Sequence, residues 1–172
     1  MSEKTNETTN KKPEVITNSK GLTYVPDQAR LVVKGILTVY RFSTTKFAGD
    51  KEFYQVSVKT DSLTPEVIAD IKKRFFSETK DKYLPSFIKE AEENGCKEPI
   101  YVNLKSQYEF GTFTPADGNK RYSYDDIIEM GDGLAPLKSE VSLSIRLTSG
   151  AAYPLALRID KLVKQDASDY FD

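Results

Sequence analysis

The segment 141-VSLSIRLT-148 sets Val141, Leu143, Ile145 and Leu147 in unbroken alternation with Ser142, Ser144, Arg146 and Thr148. A period of two is that of a strand with one face on a core and the other in water; a helix would repeat its apolar residues every three or four positions. Ser149-Gly150 then turns the chain, and 151-AAYPLALRIDKLV-163 reads as the returning strand, with Leu155, Leu157 and Ile159 expected on the buried side.

Working outward, 31-LVVKGILTVYRF-42 carries Leu31, Val33, Leu37 and Val39 on one face and reads as a long strand, in which Gly35 marks a bulge or sharp bend. After the turn-like 43-STTKFAGD-50, the segment 51-KEFYQVSVK-59 sets Tyr54, Val56 and Val58 against Phe53, Gln55 and Ser57, a half-buried strand that pairs back as a hairpin. Thr64-Pro65-Glu66 is a helix start, with a hydroxyl to cap it, proline at the first helical position and early negative charge. Val67, Ile68, Ile71 and Phe75 follow at helical spacing, Pro85 interrupts the pattern and Gly95 ends it, so residues 64–95 form a kinked helix or two consecutive helices. The stretch 99-PIYVNLKSQYEFGTF-113 is β-rich, and 123-SYDDIIEMGDG-133 is irregular or briefly helical. About five strands with one helical insertion indicate a mainly β domain, a small Greek-key barrel of which the OB-fold is the commonest binding type.

Composition limits what such a domain does. The 172 residues suit one domain, taken as 21–165, flanked by a disordered arm over 1–20, where Thr, Asn, Lys and Glu dominate, and a tail over 166–172. Without any histidine, the commonest general base and all Ser/His or Cys/His nucleophile arrangements are excluded. The lone Cys96 cannot form an internal disulfide and suits a reducing cytoplasm, where the absence of a signal-like start and of a long apolar run also places the chain, away from membranes. No phosphate-binding or dinucleotide motif asks for a cofactor. Asp125, Asp126, Glu129 and Asp132 are close enough in sequence to hold Mg²⁺, but they lack the alternating spacing of a calcium loop, and no metal is expected. The reading is of a binding protein and not an enzyme.

With 25 Lys and Arg against 26 Asp and Glu, any nucleic-acid function must come from uneven charge distribution. Residues 21–60 hold six bases and three acids, and there aromatics and cations interleave: Tyr40-Arg41-Phe42, Lys46-Phe47, and Lys51 with Phe53-Tyr54. Single strands are held by cations that follow phosphates and by rings on which bases stack. Arg41, Phe42, Lys46, Phe47, Lys51 and Phe53 are therefore candidates, although Phe42, Phe47 and Tyr54 serve equally well as core or hairpin-closing rings. Phe53 is favoured for exposure by its alternation. Tyr108 and Tyr122 flank a polar loop as a second cluster, and Arg146 stands on the outer face of its strand.

The order of these pieces, with 126-DIIEMGDGLAPLKSEVSLSIRL-147 and 150-GAAYPLALRIDKLVK-164 near the end, resembles the acidic-tailed OB-fold single-stranded DNA-binding proteins of tailed bacteriophages, from about Gly21 onward. The resemblance implies binding of single-stranded DNA without sequence preference, in replication or recombination and, for a phage protein, in the host bacterial cytoplasm. It also implies a tail that competes with DNA and recruits a DNA polymerase, a helicase or recombination proteins. That role falls on Asp166, Asp169, Tyr170, Phe171 and Asp172. Without tryptophan, stacking falls to Phe and Tyr. A phage structural or protein-interaction barrel that binds no nucleic acid is the alternative, and a metal-dependent nuclease comes third.

Overall fold

The computed structural model describes residues 15–17, 22–25, 29–45, 51–75, 84–95, 100–114, 118, 120–148 and 151–165. Among them run β1 (Ile16–Thr17), β2 (Thr23–Val25), β3 (Arg30–Thr45), β4 (Lys51–Thr60), α1 (Pro65–Phe75), α2 (Ser86–Glu93), β5 (Ile100–Ser106), β6 (Gly111–Thr114), β7 (Lys120–Tyr122), α3 (Tyr124–Met130), β8 (Glu140–Thr148) and β9 (Ala151–Lys161). The expectation of about five strands undercounts, because short strands of two to four residues are too brief to show a period. The five with a legible pattern are β3, β4, β5, β8 and β9. Ile16 and Thr17, inside the stretch expected to be without order, pair with Tyr24 and Thr23, a contact that local composition does not reveal.

The strands make one mixed sheet in the order β1-β2-β3-β8-β9-β6-β7, with β4 on β3 and β5 on β4. β3 is the spine: its first half pairs with β2 and β8, and its second half pairs with β4. The change of partner falls at Ile36, which is in register with both Glu140 and Lys59. Gly35 lies beside it for a steric reason, since a Cβ there would sit 2.2 Å from the Lys59 carbonyl oxygen. The register shift itself falls between Leu37 and Val39, so Leu37 faces Val58 and Tyr40 faces Val56, all four on the core side. Val39, expected to share a face with Leu37, is turned to the other face by that shift.

A second shift, between Ser144 and Ile145, sets Ile145 opposite Pro154 and Ser144 opposite Ala156, so Leu155 is skipped. Proline, lacking a backbone N–H, is tolerated at such a bulge. Leu157 and Ile159 are buried as expected, but Leu155 is turned outward and 41% exposed. The one parallel pairing among the described strands joins β6 to β9, Thr112 opposite Leu157.

Thr64 accepts the Val67 N–H at 3.4 Å on entry to α1, Pro85 precedes α2, and Gly95 leaves it at φ 65°. Ile68, Ile71, Phe87, Ile88 and Ala91 carry the two helices into the same buried cluster as Val56, Val102, Leu143 and Leu157. The segment expected to be irregular or briefly helical contains α3, started by a capping box in which the Ser123 hydroxyl accepts the Asp126 N–H and the Asp126 carboxylate accepts the Ser123 N–H. No helix among the described residues is long and apolar enough to cross a membrane.

Candidate nucleic-acid interface

The pleat of β4 divides the aromatic residues of the first hairpin. On the core side, Tyr54 and Phe42 lie in register with ring centroids 4.9 Å apart, and Tyr124 at the start of α3 reaches both, at 5.9 Å from Tyr54 and 6.4 Å from Phe42. Tyr40 and Phe110 close the cluster from beneath, Tyr40 lying 5.1 Å from Tyr124 and 6.0 Å from Phe110. The buried Tyr40 hydroxyl shares a hydrogen bond of 2.8 Å with the Thr112 hydroxyl. Burial pushes the Tyr40 phenol well above its ordinary range, against the smaller opposing pull of that hydrogen bond. The Tyr54 phenol is also raised, by burial first and then by the carboxylates of Glu109, Asp125 and Glu52. Phe42, a candidate for stacking, belongs to this cluster and keeps 40% of its surface exposed. Tyr122 is half-buried against the core with the Lys120 ammonium 5.3 Å from its ring.

The outer side of the same strands is different. Arg41 Nε donates to Gln55 Oε1 at 2.6 Å and Gln55 Nε2 donates to Asn103 Oδ1 at 2.7 Å, a polar chain across β3, β4 and β5. Next along β4 stands Phe53, half-buried, with the Lys105 ammonium 5.0 Å from the ring centroid. Phe53 and Lys105 line an open cleft of about 900 Å³ that also takes in Tyr108, Arg146, Tyr153 and Leu155. Tyr108 is held out by a local turn in which its N–H donates to the Ser106 hydroxyl at 3.0 Å, and its ring is 81% exposed. Arg146 and Tyr153 are cross-strand partners of β8 and β9, both pointing outward. Two acids border the cleft, Glu52 and Glu109, and Glu109 is engaged by the Tyr124 N–H at 2.5 Å.

Three sequence candidates from three separate segments, Phe53, Tyr108 and Arg146, thus meet in one cleft, and Arg41 shares the outer face of β3 and β4 with Phe53. Sequence reasoning misses Lys105, Tyr153 and Leu155. For Lys105 a signal exists, because Ile100, Val102 and Leu104 alternate inward and leave Tyr101, Asn103 and Lys105 outside. None exists for Leu155, which the bulge turns round. Lys46, Phe47, the side chain of Lys51, Cys96 and all of 166–172 lie outside the described residues. Two of the four acidic candidates for Mg²⁺ have local work: Asp126 caps α3, and Asp132 pairs with Lys164 at 3.0 Å. Among the described residues no three His, Cys, Asp or Glu side chains are placed to hold a metal ion.

No protein-family model matches the sequence, and no curated protein matches it. Among solved structures, the chain is similar to the single-stranded DNA-binding protein from bacteriophage Enc34, in a C-terminal truncation, with a TM-score of 0.58 over 88% of this chain and 95% of that one, at 9% identity. A likeness of shape at so low an identity speaks for the fold alone: the strand arrangement described above is one that a phage single-stranded DNA-binding protein also uses.

Proposed function

We propose that this protein binds single-stranded DNA without sequence preference, along the cleft on the outer side of β4 and β5. The observation that carries the proposal is the convergence of Phe53, Tyr108 and Tyr153 with Lys105 and Arg146, rings for bases beside cations for phosphates. The same face, with the loops at its ends, is the one by which OB-folds take oligonucleotides. Support for an OB-type barrel comes from the ladders β4-β3-β8-β9 and β4-β5, with β6, directly after β5, pairing in parallel with β9. In this reading residues 21–165 form the binding domain with a helical insert at 64–95. The protein serves replication or recombination, and residues 166–172 recruit a polymerase, a helicase or a recombination protein.

Stacking needs unpaired bases, so oligo-dT should bind well at low salt and a duplex of equal length poorly. With Arg41, Lys105 and Arg146 each on one phosphate, log K should fall against log salt with a slope of about −2, at about 0.7 per contact. Fluorescence anisotropy with labelled oligo-dT measures both quantities. Equal affinity for duplex, or a flat salt response, would make the cleft a surface for something other than single strands.

A further inference from the structure

On the outer face of β3 and β8, Arg30 stands directly opposite Arg146, in antiparallel register. Both are exposed, and neither has an ion-pair or hydrogen-bond partner for its side chain among the described residues. Directly opposed like charges destabilise a sheet, and a neighbouring carboxylate normally relieves them. In the paired rows there is none among the described residues: the row continues to Val25 on one side and Tyr153 on the other, the next row holds Thr23, Val32, Ser144 and Ala156, and the cleft's Glu52 and Glu109 bond neither arginine. Lys34 follows on the same face, roughly 13 Å further along β3 at about 3.3 Å per residue. The hollow that Lys34 lines is mixed in charge, with Lys59 and Lys161 beside Asp61, Glu140 and Asp160. Arg158, two strands from Lys34 in the third row with Ser142 between them, is already held by Asp160 at 2.6 Å and by the Ser142 hydroxyl. Among the described residues Arg30, Arg146 and Lys34 thus form a row of cations whose side chains have no partner, and Arg146 is also a wall of the cleft.

We propose that a strand leaving the cleft past Tyr153 crosses the outer face of β3 and β8, with a phosphate bridging Arg30 and Arg146 and a later one meeting Lys34. This rests on the single-strand reading above and lengthens its footprint beyond the β4-β5 cleft. The bridging phosphate supplies the negative charge that the two arginines lack among the described residues, so it would relieve the repulsion between them.

The test measures Arg30→Gln and Lys34→Gln against the unaltered protein, with oligo-dT of about 6 and about 16 nucleotides, the span of site sizes for single barrels. Each substitution should weaken the long oligonucleotide by about threefold to tenfold at low salt, lower its salt slope by about 0.7, and leave the short one unchanged. Thermal melts give a second readout: Arg30→Gln should raise the melting temperature of the free protein, because one member of a repelling pair is gone. If both oligonucleotides bind the unaltered protein and neither variant changes the long one, the track does not exist and the cleft reading stands. Equal weakening at both lengths, or a lower melting temperature with weaker binding, would also overturn the track, by making Arg30 part of the cleft or of the scaffold. No binding by the unaltered protein at either length is the separate failure of the single-strand reading.

Discussion

Phe53 carries the stacking argument at the scale of single residues. Its ring lies on the outer face of β4 with Lys105 already seated against it, so it is neither a core residue nor a bare platform. A base that stacks on it must move the ammonium aside, and the nearest favourable place for that charge is the phosphate of the same strand. Phe53→Ala should therefore weaken oligo-dT binding by roughly 1 to 3 kcal/mol. A melt should show much less than the roughly 3 to 5 kcal/mol that truncating a fully buried Phe costs. Anisotropy and thermal melts on one preparation separate the two, and a large loss of stability with binding intact would place the ring in the core. Tyr40 behaves in the opposite way. Its raised pKa means that, above about pH 10, the unfolded chain ionises while the folded phenol stays protonated, so stability falls as pH rises. Tyr40→Phe should flatten part of that fall. At neutral pH it should cost about 1 to 3 kcal/mol, because the fully buried Thr112 hydroxyl loses its partner. Urea melts at about pH 8 and about pH 11 compare the two limbs. At this scale the sequence is informative where alternation decides, and alternation alone separates Phe53 from Tyr54. It does not tell whether Phe42 stacks or packs, because one of the two rings that pack with it, Tyr124, comes from a distant part of the chain.

At the scale of elements, the apolar face of strand β8 is legible in full, although Ser142, expected in water, is buried, and the irregular strands β3 and β9 are legible only up to their bulges. Period-two reasoning assigns faces correctly until one residue is inserted, after which every later side chain is on the other face. That is why alternation misassigns Val39 and Leu155 but not Val141, Leu143, Ile145 and Leu147. The same bulge places Leu155 in the cleft wall, so an irregularity of the ladder contributes directly to the candidate site. Gly35 reads in the sequence as a bulge or sharp bend, and in the structure it stands where β3 and β4 approach closely, two residues before the register shift. A Cβ at that position would meet the Lys59 carbonyl oxygen at 2.2 Å and the Val58 side chain at 2.7 Å. Backbone cannot swing away as a flexible side chain can, so Gly35→Ala should force β3 and β4 apart where β3 changes partners. The expected loss is about 1 to 3 kcal/mol, as for other overpacked positions. Denaturant melts measure it, and a loss below about 0.5 kcal/mol, the scale of an ordinary surface change, would mean that the crossing is looser than the geometry indicates.

Across the whole molecule, a net charge of −1 hides an uneven distribution of charge, and the tail proposed to recruit a partner is one of its acidic ends. Those residues hold three carboxylates and no base. They start from a well-anchored point: the Val163 N–H donates to the Ser139 hydroxyl at 2.8 Å, and Gln165 Nε2 donates to the Leu137 carbonyl at 2.5 Å. Ser139 immediately precedes β8, whose first residue, Glu140, faces Lys161 at the end of β9. The cleft lies at the opposite end of that ladder, where Tyr153 faces Arg146. From Tyr153 to Lys161 the strand runs about 26 Å. Seven residues, fully extended, span at most about 24 Å, so on the proposed reading the carboxylates of 166–172 should compete with DNA at Lys34, Lys59 and Lys161 and not at Phe53. Competition with DNA should accordingly be felt at the far end of the strand's path and not in the cleft. Deleting 166–172 should raise affinity for oligo-dT of about 16 nucleotides, most visibly at low salt where the Debye length is longest, and leave that for about 6 nucleotides unchanged. Replacing only Tyr170 and Phe171 by Ala should leave DNA affinity alone, since competition depends on charge, yet remove capture of any replication protein that the two rings anchor. Titrations of both lengths at two salt concentrations decide the matter. An equal gain for the short oligonucleotide would mean that the tail lies over the cleft after all, and no gain for either would mean that its charge stays clear of the DNA altogether.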